Sequence, residues 1–243
     1  MTSGDAGTDV VRVDRADGVG ELVIDRPERR NALNGAVVEG LQAGLQSLVA
    51  DPSVRVVVIR GEGGTLCAGL DLKELAASPP PPWRAGFGDA WATFHMDIWR
   101  SDKPIVGALE GAAIAGGAAL AFACDFLVCG HRSRLQVSEV ARGMIAPLNV
   151  AWLVAKYGHA RAVDLVVGAA SLSGDDLWRL GIAAAVVDDP HVLSAARELA
   201  GRLAAHDAGA VARSKAMIRS TAATDFPALV GSLRGDPGHT ARS

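Results

Sequence analysis

The chain has 243 residues and a mass of 25.0 kDa, with 49% hydrophobic and 21% charged residues. That composition excludes a disordered chain and sets the scale at one large domain, or one with an appendage. A formal charge of −3 leaves no basic excess to neutralise phosphates, so no nucleic-acid partner is expected.

The three cysteines, Cys67, Cys124 and Cys129, form no C-x-x-C pair and suit a reducing compartment. The opening residues MTSGDAGTD have neither the basic start nor the apolar core of a signal peptide. The longest uncharged apolar stretch, between Glu110 and Asp125, is shorter than the ~20 residues that cross a bilayer. The expectation is a soluble cytoplasmic protein with no membrane segment.

In chain order, Val10–Val13 and Val19–Ile24 read as two strands joined by an Asp17-Gly18 hairpin turn. The polar loop RPERRNALN closes on Asn34, the expected N-cap of a helix whose apolar positions Val38, Leu41, Leu45 and Leu48 recur at helical spacing. Val54–Ile59 reads as a buried strand. A short helix at Asp71–Ala77, the proline run Pro79–Pro82 and a longer helix at Trp83–Arg100 follow.

Pro104–Leu109 reads as a strand, Gly116–Ala123 as a helix and Phe126–Cys129 as a strand. Val150–Val167 reads as one or two helices, and Ser173 caps another with Asp176 three positions on. A strand at Ile182–Val187 precedes two alanine-rich helices, His191–Ala205 and Ala208–Thr221. This alternation specifies an α/β architecture, with a core over residues 1–187 and a helical C-terminal region over 188–243.

Several chemistries lack their signatures. There is no phosphate loop, no G-x-S-x-G elbow and no H-E-x-x-H, and the 6 histidines are scattered. No metal site is expected. Two glycine-containing turns remain: Gly61–Leu75 after the buried strand, and Gly111–Asp125, where a glycine pair opens a helix. Glycine admits close backbone approach, and the first N–H groups of a helix have no internal partner. Two such donors aimed at one point would make an oxyanion hole; tight turns and close packing alone would use the same glycines.

The combination resembles the enoyl-CoA hydratase/isomerase, or crotonase, family over roughly residues 10–220. It rests on RPERRNALN, the A-G-x-D turn Ala68–Asp71, KPIVGALEGAAIAGGAALAFACD at Lys103–Asp125, and SEVARGMIAP at Ser138–Pro147. The resemblance implies a crotonase-like (ClpP/crotonase) spiral of β-β-α units with a helical C-terminal region that assembles trimers, often paired into hexamers. It implies an acyl-CoA substrate and no cofactor beyond the coenzyme A of the thioester. The thioester oxygen would sit on the N–H groups of Ala68 and Gly116. Arg30, Ala32, Gly69, Leu70, Asp71 and Gly117 would line the CoA and substrate site.

Family hydratases share acid and base work between two glutamates. The first of these positions is Ala119 here, and the second is Glu139. A lone glutamate suits a Δ3 to Δ2 double-bond shift, in which one base takes a proton from C2 and returns it to C4. Mitochondrial-type Δ3,Δ2-enoyl-CoA isomerases are similar in this pattern. That is the expected activity, with Glu139 as acid/base in an apolar pocket that raises its pKa. The alternatives are hydration with a substitute acid, an acyl-CoA binder without turnover, and thioester hydrolysis or decarboxylation.

Asp97, Glu74 and Glu110 are the candidate substitutes, and Asp125 is expected to fix a backbone turn. Trp91, Phe94, His95 and Trp99 form an aromatic helical stripe, read as core or as a wall of the acyl pocket. Cys67 is expected to be a packing residue, and Lys215 an exposed helical lysine with a CoA phosphate as its other possible partner.

Overall fold

The computed structural model describes residues 10–222 and 224–233. Residues 1–9, read above as lacking a signal sequence, and residues 234–243 of the C-terminal region lie outside the described part.

A hairpin opens the fold. β1 (Val11–Ala16) pairs antiparallel with β2 (Val19–Ile24), and Asp17 and Gly18 carry the two positive φ values, 51° and 80°, of a two-residue hairpin turn. From β2 the sheet continues in parallel through β3 (Val56–Gly61), β4 (Ile105–Leu109), β6 (Phe126–Gly130) and β9 (Ala185–Val187). A second sheet of three short strands, β5 (Ala112–Ile114), β7 (Arg134–Gln136) and β8 (Leu172–Ser173), stands beside it.

Between β2 and β3 runs α1 (Gly35–Ala50), where the Asn34 side chain accepts the Val37 N–H at 3.0 Å. The short α2 (Leu72–Leu75) and the longer α3 (Phe87–Arg100) precede β4, with a single 3-10 turn over Pro82–Gly86. α4 (Gly116–Ala123) has the bounds that its sequence predicts. α5 (Pro147–Val167) breaks at Gly158, whose φ of 81° and ψ of 168° are non-helical, so the expected single or double helix is two helices end to end. α6 (Gly174–Arg179) starts with the expected capping box of Ser173 and Asp176.

β3 shows why its sequence is continuously apolar. Val57 and Ile59 face the larger core with α1, while Val56 and Val58 face α7 (Val192–Ala204), and all four are buried. Side chains of a strand alternate between faces, so a strand covered on both sides is apolar throughout. α7 seats Val192, Ala196 and Ala200 on that face. The C-terminal region therefore shares its core with the sheet, and the division at residue 188 is one of chain order rather than packing. α8 (Ala208–Ser220) follows, with no buried residue.

The last helix, α9 (Phe226–Leu233), was not foreseen in sequence. Its Phe226 is fully buried, stacked on Trp99 at 4.6 Å between ring centroids and lying 4.3 Å from Trp152. Among the described residues no helix is long and apolar enough to cross a membrane. Phe226→Ala should cost about 3–5 kcal/mol of unfolding free energy, read from urea denaturation; a change near zero would show that α9 is not part of the cooperative core.

Candidate functional site

The two glycine turns meet. Leu66 and Cys67 donate to the carbonyls of Glu110 and Ala112, and Ile114 donates back to Cys67 at 3.0 Å, so the first turn adds to the edge of β5. At Gly69, with φ 86°, a Cβ would lie 2.8 Å from the Ile114 carbonyl oxygen. At Gly117 it would lie 2.2 Å from the Cys67 carbonyl oxygen. Neither position tolerates a side chain without moving backbone, which is why glycines stand at both. Between them Ala115 precedes α4 with φ 53° and ψ −114°, a backbone setting that a non-glycine residue holds only when its surroundings enforce it.

The donors on these turns differ from expectation in one respect. The Ala68 N–H goes to the Arg30 carbonyl at 3.0 Å, so it is not available to a ligand. Leu33 pairs with Leu70 as a parallel bridge, donating to the Gly69 carbonyl at 2.7 Å and accepting the Asp71 N–H at 2.8 Å. In such a bridge the N–H of the middle residue faces the other way. Leu70 N–H and the helix-opening Gly116 N–H meet no protein acceptor among the described residues. Spacing alone did not distinguish Ala68 from Leu70, because the alternation is set by pairing to a segment far off in sequence.

Glu139 begins a 3-10 turn, Val140–Arg142, closed by Gly143 at φ 71°. Its Oε1 accepts the Asn149 Nδ2–H at 2.9 Å, and the same Nδ2 donates to the Ala115 carbonyl at 3.2 Å. Asn149 sits in the first turn of α5 and is 2% exposed. It thus ties the glutamate to the peptide that carries the Gly116 N–H. Glu139 Oε2 is buried with no hydrogen-bond partner, as are Asn149 Oδ1 and Ser138 Oγ. Burial pushes the Glu139 carboxyl above its ordinary pKa, against the opposing pull of its own and Ser138's backbone N–H groups, Asn149 and Arg142. Asn149 was missed in the sequence; the one available signal is a polar residue among Leu148, Val150 and Ala151 at a helix start.

Glu139, with Oε1 held by Asn149 and Oε2 buried, and the two free N–H groups belong to a chain with relatives among known proteins. The enoyl-CoA hydratase/isomerase family profile matches residues 14–230. The chain belongs to this family. An enoyl-CoA hydratase of Mycobacterium tuberculosis is 30% identical over 206 residues, 82% of this chain and 76% of that protein. A 4-chlorobenzoyl coenzyme A dehalogenase of Arthrobacter is 28% identical over 199 residues, 80% of this chain and 72% of its own. The crystal structure of an enoyl-CoA hydratase from Polaromonas superposes with a TM-score of 0.81 at 29% identity, covering 92% of this chain and 88% of that one. The fold is the crotonase fold.

Of the candidates for a second carboxylate in this enoyl-CoA hydratase/isomerase family member, Asp97 and Glu74 are engaged elsewhere. Ala119 is buried in α4. Asp97 accepts from Gln42 and Gln46 on α1. Glu74 holds Asn34 Nδ2 at 2.8 Å and Trp83 Nε1 at 2.9 Å. Glu110 is raised in pKa by burial and feels Arg60, Glu62 and Arg197, a cluster on another part of the sheet. Asp71 caps α2 through the Glu74 N–H and pairs with Arg26 at 3.3 Å, so its side chain organises the loop. Asp125 accepts the Ile105 N–H at 2.8 Å and pairs with Lys215, which also donates to the Lys103 carbonyl. The expected backbone role of Asp125 holds, and Lys215 is bound to protein.

His95 is fully buried and its pKa is pushed down to about 3 by desolvation. Its Nδ1 accepts the Trp152 Nε1–H at 2.8 Å, so the neutral ring carries its proton on Nε2. Trp91 stands against His95, with centroids 4.4 Å apart, and its Nε1 lies 3.8 Å from where a Gly116 Cβ would be. The aromatic stripe is core, and Trp91 brings its edge to the donor turn. Cys67 is buried with its thiol pushed up to about 12, a packing residue as expected. Ala32 is buried and Arg30 exposed, at φ 51°. No group of three His, Cys, Asp or Glu side chains able to hold a metal occurs among the described residues.

Proposed function

We propose that the protein adds water reversibly across the double bond of a 2-enoyl-CoA. One observation carries this reading: a buried carboxylate with a bare Oε2 is fastened through Asn149 to the turn that presents the Gly116 N–H. The hydratase named among its relatives supports the choice of reaction.

The thioester oxygen would accept from Leu70 and Gly116 N–H. As a water oxygen bonds to C3, Glu139 Oε2 takes one of its protons, and the π electrons move onto the thioester as an enolate. The two N–H groups stabilise that negative charge where it forms; losing one such donor costs ~10²–10³ in rate. Glu139 then returns the proton to C2, leaving a 3-hydroxyacyl-CoA. One carboxylate serves as base and then acid, which its raised pKa favours. Arg30, Ala32 and Gly69 would border the CoA.

A Δ3 to Δ2 shift is the second reading, favoured by Ala119, since the buried α4 carries no second carboxylate. The two reactions change thioester absorbance in opposite directions. Hydration of crotonyl-CoA removes the conjugated band, whereas isomerisation of a 3-enoyl-CoA creates it. Glu139→Gln should lower either rate by about 10²–10⁴, and near-normal turnover in the folded variant would remove the glutamate from the reaction.

Ionised Glu139 is the base, so kcat should rise with pH through a pKa above the ordinary glutamate value. For stability, a carboxyl raised by folding favours the folded state while protonated and loses that contribution as pH climbs through the raised pKa. Glu139→Gln should therefore raise Tm at neutral pH and change it little in acid, as calorimetry would record.

Replacing the Gly69–Leu70 amide by an ester, which deletes the Leu70 N–H and weakens the Gly69 carbonyl that accepts from Leu33, should reduce kcat ~10²–10³-fold. The same exchange at Ala68 should lower stability by about 1 kcal/mol and spare kcat. Equal kinetic losses at both positions would contradict the donor assignment. From the family resemblance we also infer a homotrimer or a hexamer, for which the exposed Val163, Val167, Trp178, Met217 and Ile218 offer apolar contact surface; light scattering on the full chain should give three or six times the monomer mass, and a monomer would refute it.

A further inference from the structure

We propose that Asn149 both positions the base and binds the attacking water, taking over part of the work of the missing second carboxylate. Its Nδ2 would hold the base in register with the Ala115–Gly116 peptide, and its Oδ1 would accept one hydrogen of the attacking water. This inference rests on the hydration reading above.

The amide orientation is fixed by its neighbours. The Glu139 carboxylate and the Ala115 carbonyl are both acceptors, so the nitrogen must face them, at 2.9 Å and 3.2 Å, and the oxygen must face away. That oxygen is buried without a partner, and so is Glu139 Oε2. A buried acceptor without a hydrogen is unfavourable, and two of them lie on groups joined by one hydrogen bond. Water is the chemical match for two such acceptors, because it brings two hydrogens and leaves its lone pairs free to attack. A neutral amide supplies the second acceptor without putting a second negative charge beside Glu139, which at close range would drive one of the pair to protonate.

The groups around Glu139 keep the test clean. Arg142 in the same turn is the charged side chain that acts on it. From α5 it faces Asn149, and from the α4 turn the Ala115 carbonyl bears on it through Asn149; neither titrates.

The experiment uses the full chain with crotonyl-CoA for hydration, and butyryl-CoA in deuterated water for proton exchange at C2, which needs the base and the oxyanion donors but no bound nucleophile. Asn149→Ala should lower kcat for hydration ~10²-fold with KM little changed, and C2 exchange should fall by a distinctly smaller factor. Asn149→Asp keeps shape and acceptor but replaces the donor with a charge. It should move the acid limb of the kcat profile upward by about one pH unit or more, and it remains informative if the alanine variant does not fold.

Equal falls in hydration and exchange with an unmoved acid limb would reduce Asn149 to a structural role and overturn the proposal. So would wild-type enzyme that exchanges C2 protons but adds no water. If Glu139→Gln abolishes turnover while both Asn149 variants behave as wild type, this inference alone fails. Turnover that survives Glu139→Gln removes the underlying reading as well.

Discussion

The site depends on two backbone turns approaching closer than a Cβ allows. Gly69 lies against the Ile114 carbonyl and Gly117 against the Cys67 carbonyl, and the main-chain bonds of Cys67 with Ala112 and Ile114 lock the two segments together. Any side chain at either glycine would push one turn off the other and with it one of the two free N–H groups. The strain at Ala115 belongs to the same constraint. Its conformation turns the chain sharply from β5 into α4, which leaves the Gly116 N–H at the helix start rather than within the ladder of β5.

The frame that holds these turns is the parallel sheet. Both follow strands, β3 and β4, and ligand sites of α/β proteins lie beyond strand ends because the connecting loops are free to diverge there. Covering β3 and β4 on both faces keeps those ends rigid. Away from the site, Glu21 bridges buried Arg60 and Arg197 of α7 at 2.9 Å and 3.0 Å. This pins the C-terminal helix to the sheet by charge as well as by apolar packing. Isolated burial of Arg60 would be costly, and the paired carboxylate offsets that cost.

The proposed chemistry concentrates on one carboxylate. Its neighbourhood offers a hydrogen bond to Oε1 and none to Oε2, so one oxygen is anchored and the other would be left for the reacting proton. Burial raises its pKa against the opposing pull of Asn149 and Arg142, bringing it nearer to the value at which a group both takes and gives a proton efficiently. Asp71, Glu74, Asp97 and Asp125 do not compete, because each is held by a cap, an amide or a basic side chain.

Much of this was legible in the sequence. The hairpin at Asp17-Gly18, the Asn34 cap, the bounds of α4 and the capping box at Ser173 depend on neighbours within a few residues, and local chemistry fixes them. Two glycine turns and Glu139 were likewise visible as motifs. β5, β7 and β8 were not, since two- or three-residue strands have no periodicity and exist only through their partners. Which N–H is free was also undecidable: Ala68 is taken by Arg30 and Leu70 is turned outward by Leu33, both distant in the chain. Asn149 is the same case, an ordinary polar residue at a helix start until folding sets it between Glu139 and Ala115. The sequence by itself determined the elements and the chemical groups available; tertiary structure decided which of those groups are left unpaired, because a donor or acceptor is free only when every other part of the chain has been placed.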